Sequence, residues 1–168
     1  GISLSEMSDK VLDAIDAQEG KMDQLADVGA ERAVLAGLFA YGFESYVEIS
    51  DFLTHSSFAN RNNQVIYKCI EKVLENDAVA DIPAILSAAE QLNLTEVVKT
   101  EYELDYIRDL MDYPVKKDNV LHFAAQVKKF EFARNAKRIA KKIDKDIDSI
   151  VGDESIDDII NLVETPLM

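Results

Sequence analysis

The stretch DNVLHFAAQVKKFEFARNAKRIAKKIDKDIDSIV, Asp118 to Val151, runs for 34 residues without Pro or Gly. Phe132, Ala136, Ile139, Ile143, Ile147 and Ile150 recur in it at steps of three and four, the spacing that places side chains on one side of an α-helix. One long helix with an apolar seam is the reading. At about 1.5 Å per residue it spans roughly 50 Å, more than a globule of this size needs for its own core, so part of the seam must meet another helix. A second helix follows directly. Beyond Gly152, Ser155-Ile156-Asp157-Asp158 reads as an N-cap with an acid three residues on, and Ile156, Ile159, Ile160, Val163 and Leu167 form its apolar face. The chain is thus expected to close in a helical hairpin, with an assembly surface along its seam.

Upstream, the pattern is helical almost throughout. Leu4, Met7, Val11, Leu12 and Ile15 make a short amphipathic helix, the centre of an N-terminal arm over residues 1–27. A compact head of five or six short helices follows over 28–115, and the hairpin takes 116–168. Within the head, helices are expected from Val28 through Phe39, around Tyr46 to Leu53, from Arg61 to Leu74, from Asp81 to about Leu92 with Pro83 in the first turn, and around Leu104 to Met111 before Pro114. The fold class is all-α. With 168 residues, 48% of them apolar, the chain can bury one proper core but hardly two.

The net charge of −14 is unevenly placed. Residues 1–115 hold 8 Lys/Arg against 22 Asp/Glu, residues 116–145 hold 10 against 3, and residues 146–168 hold 7 acids and no base. Two readings of the basic arm stay open. Its charge is offset by the acidic second arm and keeps the antiparallel pairing in register, or Lys128, Lys129, Arg134, Lys137, Arg138, Lys141 and Lys142 also meet an acidic partner or a phosphate backbone.

The residues of covalent chemistry are missing. No G-x-x-x-x-G-K-[ST] or G-x-G-x-x-G occurs to cradle a nucleotide, and His55 and His122 lack the company a metal site needs. Cys69, the only cysteine, sits among Val65, Ile66, Ile70 and Val73, where a small buried hydrophobe is expected rather than a reactive thiol. The carboxylates fall at solvent-facing helical positions. The longest uncharged apolar stretch, Ala33 to Phe43, is far short of the roughly 18 residues of a membrane span. A soluble, intracellular, non-enzymatic chain without membrane contact is expected.

The order of the pieces carries a resemblance. Ala30-Glu31-x-Ala33-Val34-Leu35, then Phe58 ahead of Ile66-Tyr67, Asp81-Ile82, Tyr106-Ile107-x-x-Leu110, and Pro114 ahead of Asn119-Val120-x-x-Phe123-Ala124-x-x-Val127 resemble the N-terminal domain of DnaB-like replicative helicases from about residue 28 to 168. The family pattern opens E-A-E-x-A-V-L-G, has a phenylalanine five residues before a histidine, and begins its long helix near N-[VI]-x-x-Y-A. Here Gly37 falls one residue late, Asn63 stands in the histidine's place and Phe123 in the tyrosine's. With the 27-residue leader, these departures suggest a divergent version encoded by a phage or mobile element.

The resemblance implies a collar over a hexameric motor in the cytoplasm of a bacterial host cell. Hairpins would pair between subunits, as dimers and as a trimer of dimers in the full ring. Primase or a helicase loader would dock on the collar, and contact with single-stranded DNA would be weak at most. ATP and Mg²⁺ would belong to a motor domain outside this chain, which would hold no cofactor of its own. The self-association seam would be Phe132, Ile139, Ile143, Ile147, Ile150, Ile156, Ile159, Ile160 and Val163, and the partner-facing basic arm Lys128, Arg134, Lys137, Arg138 and Lys141. The rival reading is a stand-alone helical interaction protein, a phage regulator or loader partner with no motor domain.

Overall fold

The structure is a computed structural model that describes residues 25–98 and 100–167. The expected leader helix at Leu4 to Ile15 lies outside them. The described residues form helices α1 (Val28–Tyr41), α2 (Phe43–Ile49), a 3₁₀ turn (His55–Ser57), α3 (Arg61–Glu75), α4 (Ile82–Gln91), α5 (Thr95–Val98), α6 (Glu101–Asp112), α7 (Lys117–Asp148) and α8 (Ile156–Leu167), with no strand among them. The all-α expectation holds, and so does the count of short helices ahead of the long one.

Side-chain oxygens start most of these helices. Asp27 accepts from the Ala30 N–H at 2.9 Å, Asn60 from Asn63 at 3.1 Å, Asp81 from Ala84 at 2.9 Å and Ser155 from Asp158 at 3.1 Å. Each satisfies one of the donors a first turn leaves unpaired, for about 1 kcal/mol. Asp77 and Asn93, at φ 57° and 56°, adopt the left-handed conformation beyond the ends of α3 and α4. The one-turn α5 was not expected, because four residues are too few to show a period. Helix α6 starts earlier than Leu104 because Thr100 caps it, accepting from the Glu103 N–H at 3.3 Å.

The described residues divide into two units, the first reaching Glu131 and the second starting at Phe132. In the first, α1 is buried nearly all round, through Ala30, Ala33, Val34, Leu35, Ala36 and Leu38, and lies against α2, α3 and α6. Helix α3 adds Val65, Ile66, Tyr67, Cys69, Ile70, Val73 and Leu74 and packs on α4. Burial pushes the Cys69 thiol up to about 11, which suits a core residue rather than a nucleophile. The sequence places the head boundary near residue 115; the structure carries the first unit to Glu131, because Val120, Ala124 and Val127 of α7 are buried in it. The second unit holds the rest of α7 with α8.

Candidate assembly interface

In the second unit, α7 and α8 are joined by a turn built on one carboxylate. Glu154 accepts from the N–H groups of Val151 at 3.0 Å and Gly152 at 2.9 Å, and these donors hold its carboxyl below the usual range. Gly152, at φ 102°, supplies the backbone conformation that other residues resist. Lys142 and Asp146 of α7 share a groove with Asn161, Leu162, Thr165 and Pro166 of α8, so the two arms are neighbours as a hairpin requires.

The structure leaves the seam uncovered. Ile139, Ile143, Ile150 and Ile159 are half-buried, Ile147, Ile160 and Val163 are exposed, and Phe132 and Ile156 are 74% and 77% exposed. Phe132, Ala136, Ile139, Ala140 and Ile143, with Asn135, line an open groove of about 310 Å³ along α7. Contiguous apolar surface of this kind costs free energy in water at about 25 cal/mol per Å² and marks a binding face.

The basic arm is less concentrated than its composition suggests. Lys128 pairs with Glu131 at 3.0 Å and Lys142 with Asp146 at 2.7 Å, both within α7, while Arg138 donates to Asn135 Oδ1 at 3.1 Å. Lys137 and Arg134 are half-buried and Lys141 exposed. His122 is exposed, and His55 sits in the 3₁₀ turn, where burial and then Lys68 hold it below its ordinary value. Among the described residues no group of His, Cys, Asp or Glu is placed to hold a metal ion, and no helix is long and apolar enough to cross a membrane.

Two supports fix the start of α7 in the first unit. Lys117 pairs with Glu44, and the Tyr41 hydroxyl donates to the Val115 carbonyl at 2.5 Å. One turn on, a Cβ on Gly37 would lie 2.4 Å from Val120 Cγ2, so α1 and α7 cross where only hydrogen fits. Sequence reading noted Gly37 as displaced by one position and did not foresee this contact. It also missed the role of Glu31, which is 1% exposed and accepts from the N–H groups of Ala59 at 2.9 Å and Asn60 at 3.3 Å and from Asn63 Nδ2 at 3.0 Å. Tyr106 closes the network, donating to Asn63 Oδ1 at 2.6 Å, and the Arg32 guanidinium lies 5.9 Å from its ring centre. The available signal was a lone carboxylate inside the apolar run Ala30 to Phe39. Glu31, Val120 and Tyr106 are among the residues that carry the resemblance, Gly37 and Asn63 are departures from its pattern, and the work of all five here is structural.

Residues 23–129 match the family model described as DnaB-like helicase N terminal domain. The chain belongs to that family. Its fold is also that of the crystal structure of the N-terminal domain of DnaB helicase from Mycobacterium tuberculosis, with a TM-score of 0.71 at 15% identity, over 84% of this chain and 96% of that one. No curated protein matches by sequence. The seam of this DnaB-like domain lies beyond the matched residues, from Phe132 onward, so the family match rests on the first unit and the seam on its own geometry.

Proposed function

We propose that this DnaB-like domain is the assembly and docking collar of a hexameric replicative helicase in the bacterial cytoplasm. The observation that carries the proposal is the uncovered apolar face of α7 and α8, from Phe132 to Val163, in a chain of this family. A second copy would lay its own seam there, since a self-complementary face most simply closes as a two-fold dimer. Primase or a helicase loader would dock on the resulting collar, and ATP and Mg²⁺ would be handled by a motor domain elsewhere in the protein.

The test is sedimentation of the wild type against the Ile139→Asp, Ile143→Asp double variant. Unpaired carboxylates in a closed seam should weaken self-association at least tenfold while the first unit keeps its cooperative melt. Unchanged sedimentation and helicity would end the proposal. The domain should show no saturable ATP turnover in a coupled assay, there being no phosphate-cradling turn in its sequence; measurable turnover would overturn the division of labour.

Single-stranded DNA should bind weakly. The −14 net charge repels it, and between Lys128 and Lys145 Phe130 and Phe132 are the only aromatic residues that could offer bases a stacking surface. The expected dissociation constant is no tighter than the non-specific range of roughly 10⁻⁴–10⁻⁶ M at physiological salt. Salt-titrated fluorescence anisotropy, wild type against Lys137→Glu with Lys141→Glu, decides it. Submicromolar binding lost in the double variant would make the arm a nucleic-acid site.

A further inference from the structure

Inside the first unit, the start of α1, the start of α7 and the loop that leads into α7 enclose a cleft of about 530 Å³, within the roughly 300–1,000 Å³ of clefts that take a ligand. Ala30 and Ala33 of α1, both buried, and the half-buried Phe123 of α7 line its inner side, while Pro114, Lys116 and Asn119 stand exposed at its edge. Its walls are fixed from behind. The Tyr41 hydroxyl holds the Val115 carbonyl, and the Asp27 carboxylate is engaged by the Ala30 N–H at 2.9 Å. A cleft lined by carbon on its inner side suits apolar side chains on a peptide better than a small polar molecule.

The chain itself delivers such a peptide. Asp27 lines the cleft, the described residues begin two positions before it at Leu25, and 24 residues of the sequence precede that. At 100° per residue, Leu4, Met7, Val11 and Ile15 fall within about 80° of one another, and Glu6, Asp9, Asp13 and Asp16 centre on the opposite side. A helix of this length is marginal alone in water, so its apolar face calls for a surface. The 12 residues from Ile15 to Asp27 reach at most about 40 Å, which keeps the leader near the cleft at an effective concentration on the order of millimolar. Charge agrees as well. Residues 1–24 hold six acids against two lysines, and Lys116 and the first turns of α1 and α7, the positive ends of their dipoles, border the cleft.

We infer that residues 4–15 dock as a helix on this cleft of the same copy, with Leu4, Met7, Val11 and Ile15 toward Ala30, Ala33 and Phe123. The contact goes beyond the collar reading and does not involve the seam. The family match starts at residue 23, so the leader lies outside it while the cleft lies within. A partner whose apolar segment enters the cleft must first displace the leader, so its apparent affinity falls by the fraction of copies in which the cleft is open.

Thiol labelling of the full chain tests the contact. Asn119→Cys puts a thiol at the edge of the cleft, and the native Cys69, buried, reacts slowly. In this background a bulky maleimide should react about tenfold more slowly with the wild-type leader than with Met7→Asp plus Val11→Asp, whose carboxylates an apolar cleft rejects. Added negative charge would by itself slow the reaction by disfavouring the thiolate, so the expected gain comes only from uncovering. A synthetic peptide of residues 1–18 at millimolar concentration should restore protection to the leader variant, and tenfold dilution should leave the wild-type protection unchanged. Equal rates with both leaders, a peptide without effect, or protection lost on dilution, which would put a neighbouring copy in the cleft, would each overturn the inference. Protection should also survive Ile139→Asp plus Ile143→Asp, so failure of the seam and failure of this contact are read separately.

Discussion

Replacing Glu31 with Ala is expected to destabilise the first unit by about 3–5 kcal/mol, because three donors lose their acceptor in a site water does not reach. Ala59 and Asn60 precede α3, so the carboxylate does for that helix what a cap does, from another helix, and its charge faces the positive end of the α3 dipole. Asn63 amplifies the loss. Its amide, 0% exposed, would keep Tyr106 on one side and face a void on the other. Urea titration should show a lower midpoint at unchanged slope, and a scan should show a fall in melting temperature of about 10 °C. Glu31→Gln should recover only part of this, since it keeps the shape but turns one acceptor into a donor. A midpoint within error of the wild type would mean that water or a rearranged loop satisfies the same groups.

The second large effect is expected at Gly37. An added methyl must occupy space that Val120 fills, at 2.4 Å from one of its methyl carbons, and Val120 is itself fully buried. Overpacking of this kind costs about 1–3 kcal/mol when the backbone can shift and more when it cannot. Here Tyr41 and Lys117 tie down the chain on either side, which places Gly37→Ala near 3 kcal/mol, the upper end of that range. Trimming the obstacle should help. Val120→Ala alone destabilises by leaving a cavity, but in the Gly37→Ala background it should be close to neutral or restorative. Chemical denaturation of the four proteins of this cycle measures the coupling, and simple additivity would show that the methyl finds room elsewhere.

What could be read beforehand was whatever repeats along the chain. The 3.6-residue period of α7 and α8, the caps Asp81 and Ser155, and the stop at Pro114 are local signals, and local signals set the helices. The apolar side of α7 and α8 was legible for the same reason, while its pairing with a second copy is the proposal made above. Contacts between helices were not. Gly37 meets Val120 across 83 positions of sequence, and Glu31 meets Asn63 and Tyr106 across distances no period records. The first unit's claim on α7 as far as Glu131 also escaped, since Val120, Ala124 and Val127 keep the same spacing as the seam beyond them. Periodicity tells that a side is apolar, not what covers it. The leader at residues 1–27 remains an expectation from spacing alone.

Helix α7 is one continuous run of backbone hydrogen bonds whose two halves are secured by different means. Up to Val127 its turns can open only when the surrounding core opens, so they share the resistance of the whole first unit to unfolding. Beyond Phe132, the same helix leans on its own propensity and on α8, and free energy that another chain supplies adds directly to its persistence. Were a second copy to cover the seam as proposed, the length of rigid rod the protein carries would grow with its concentration in solution.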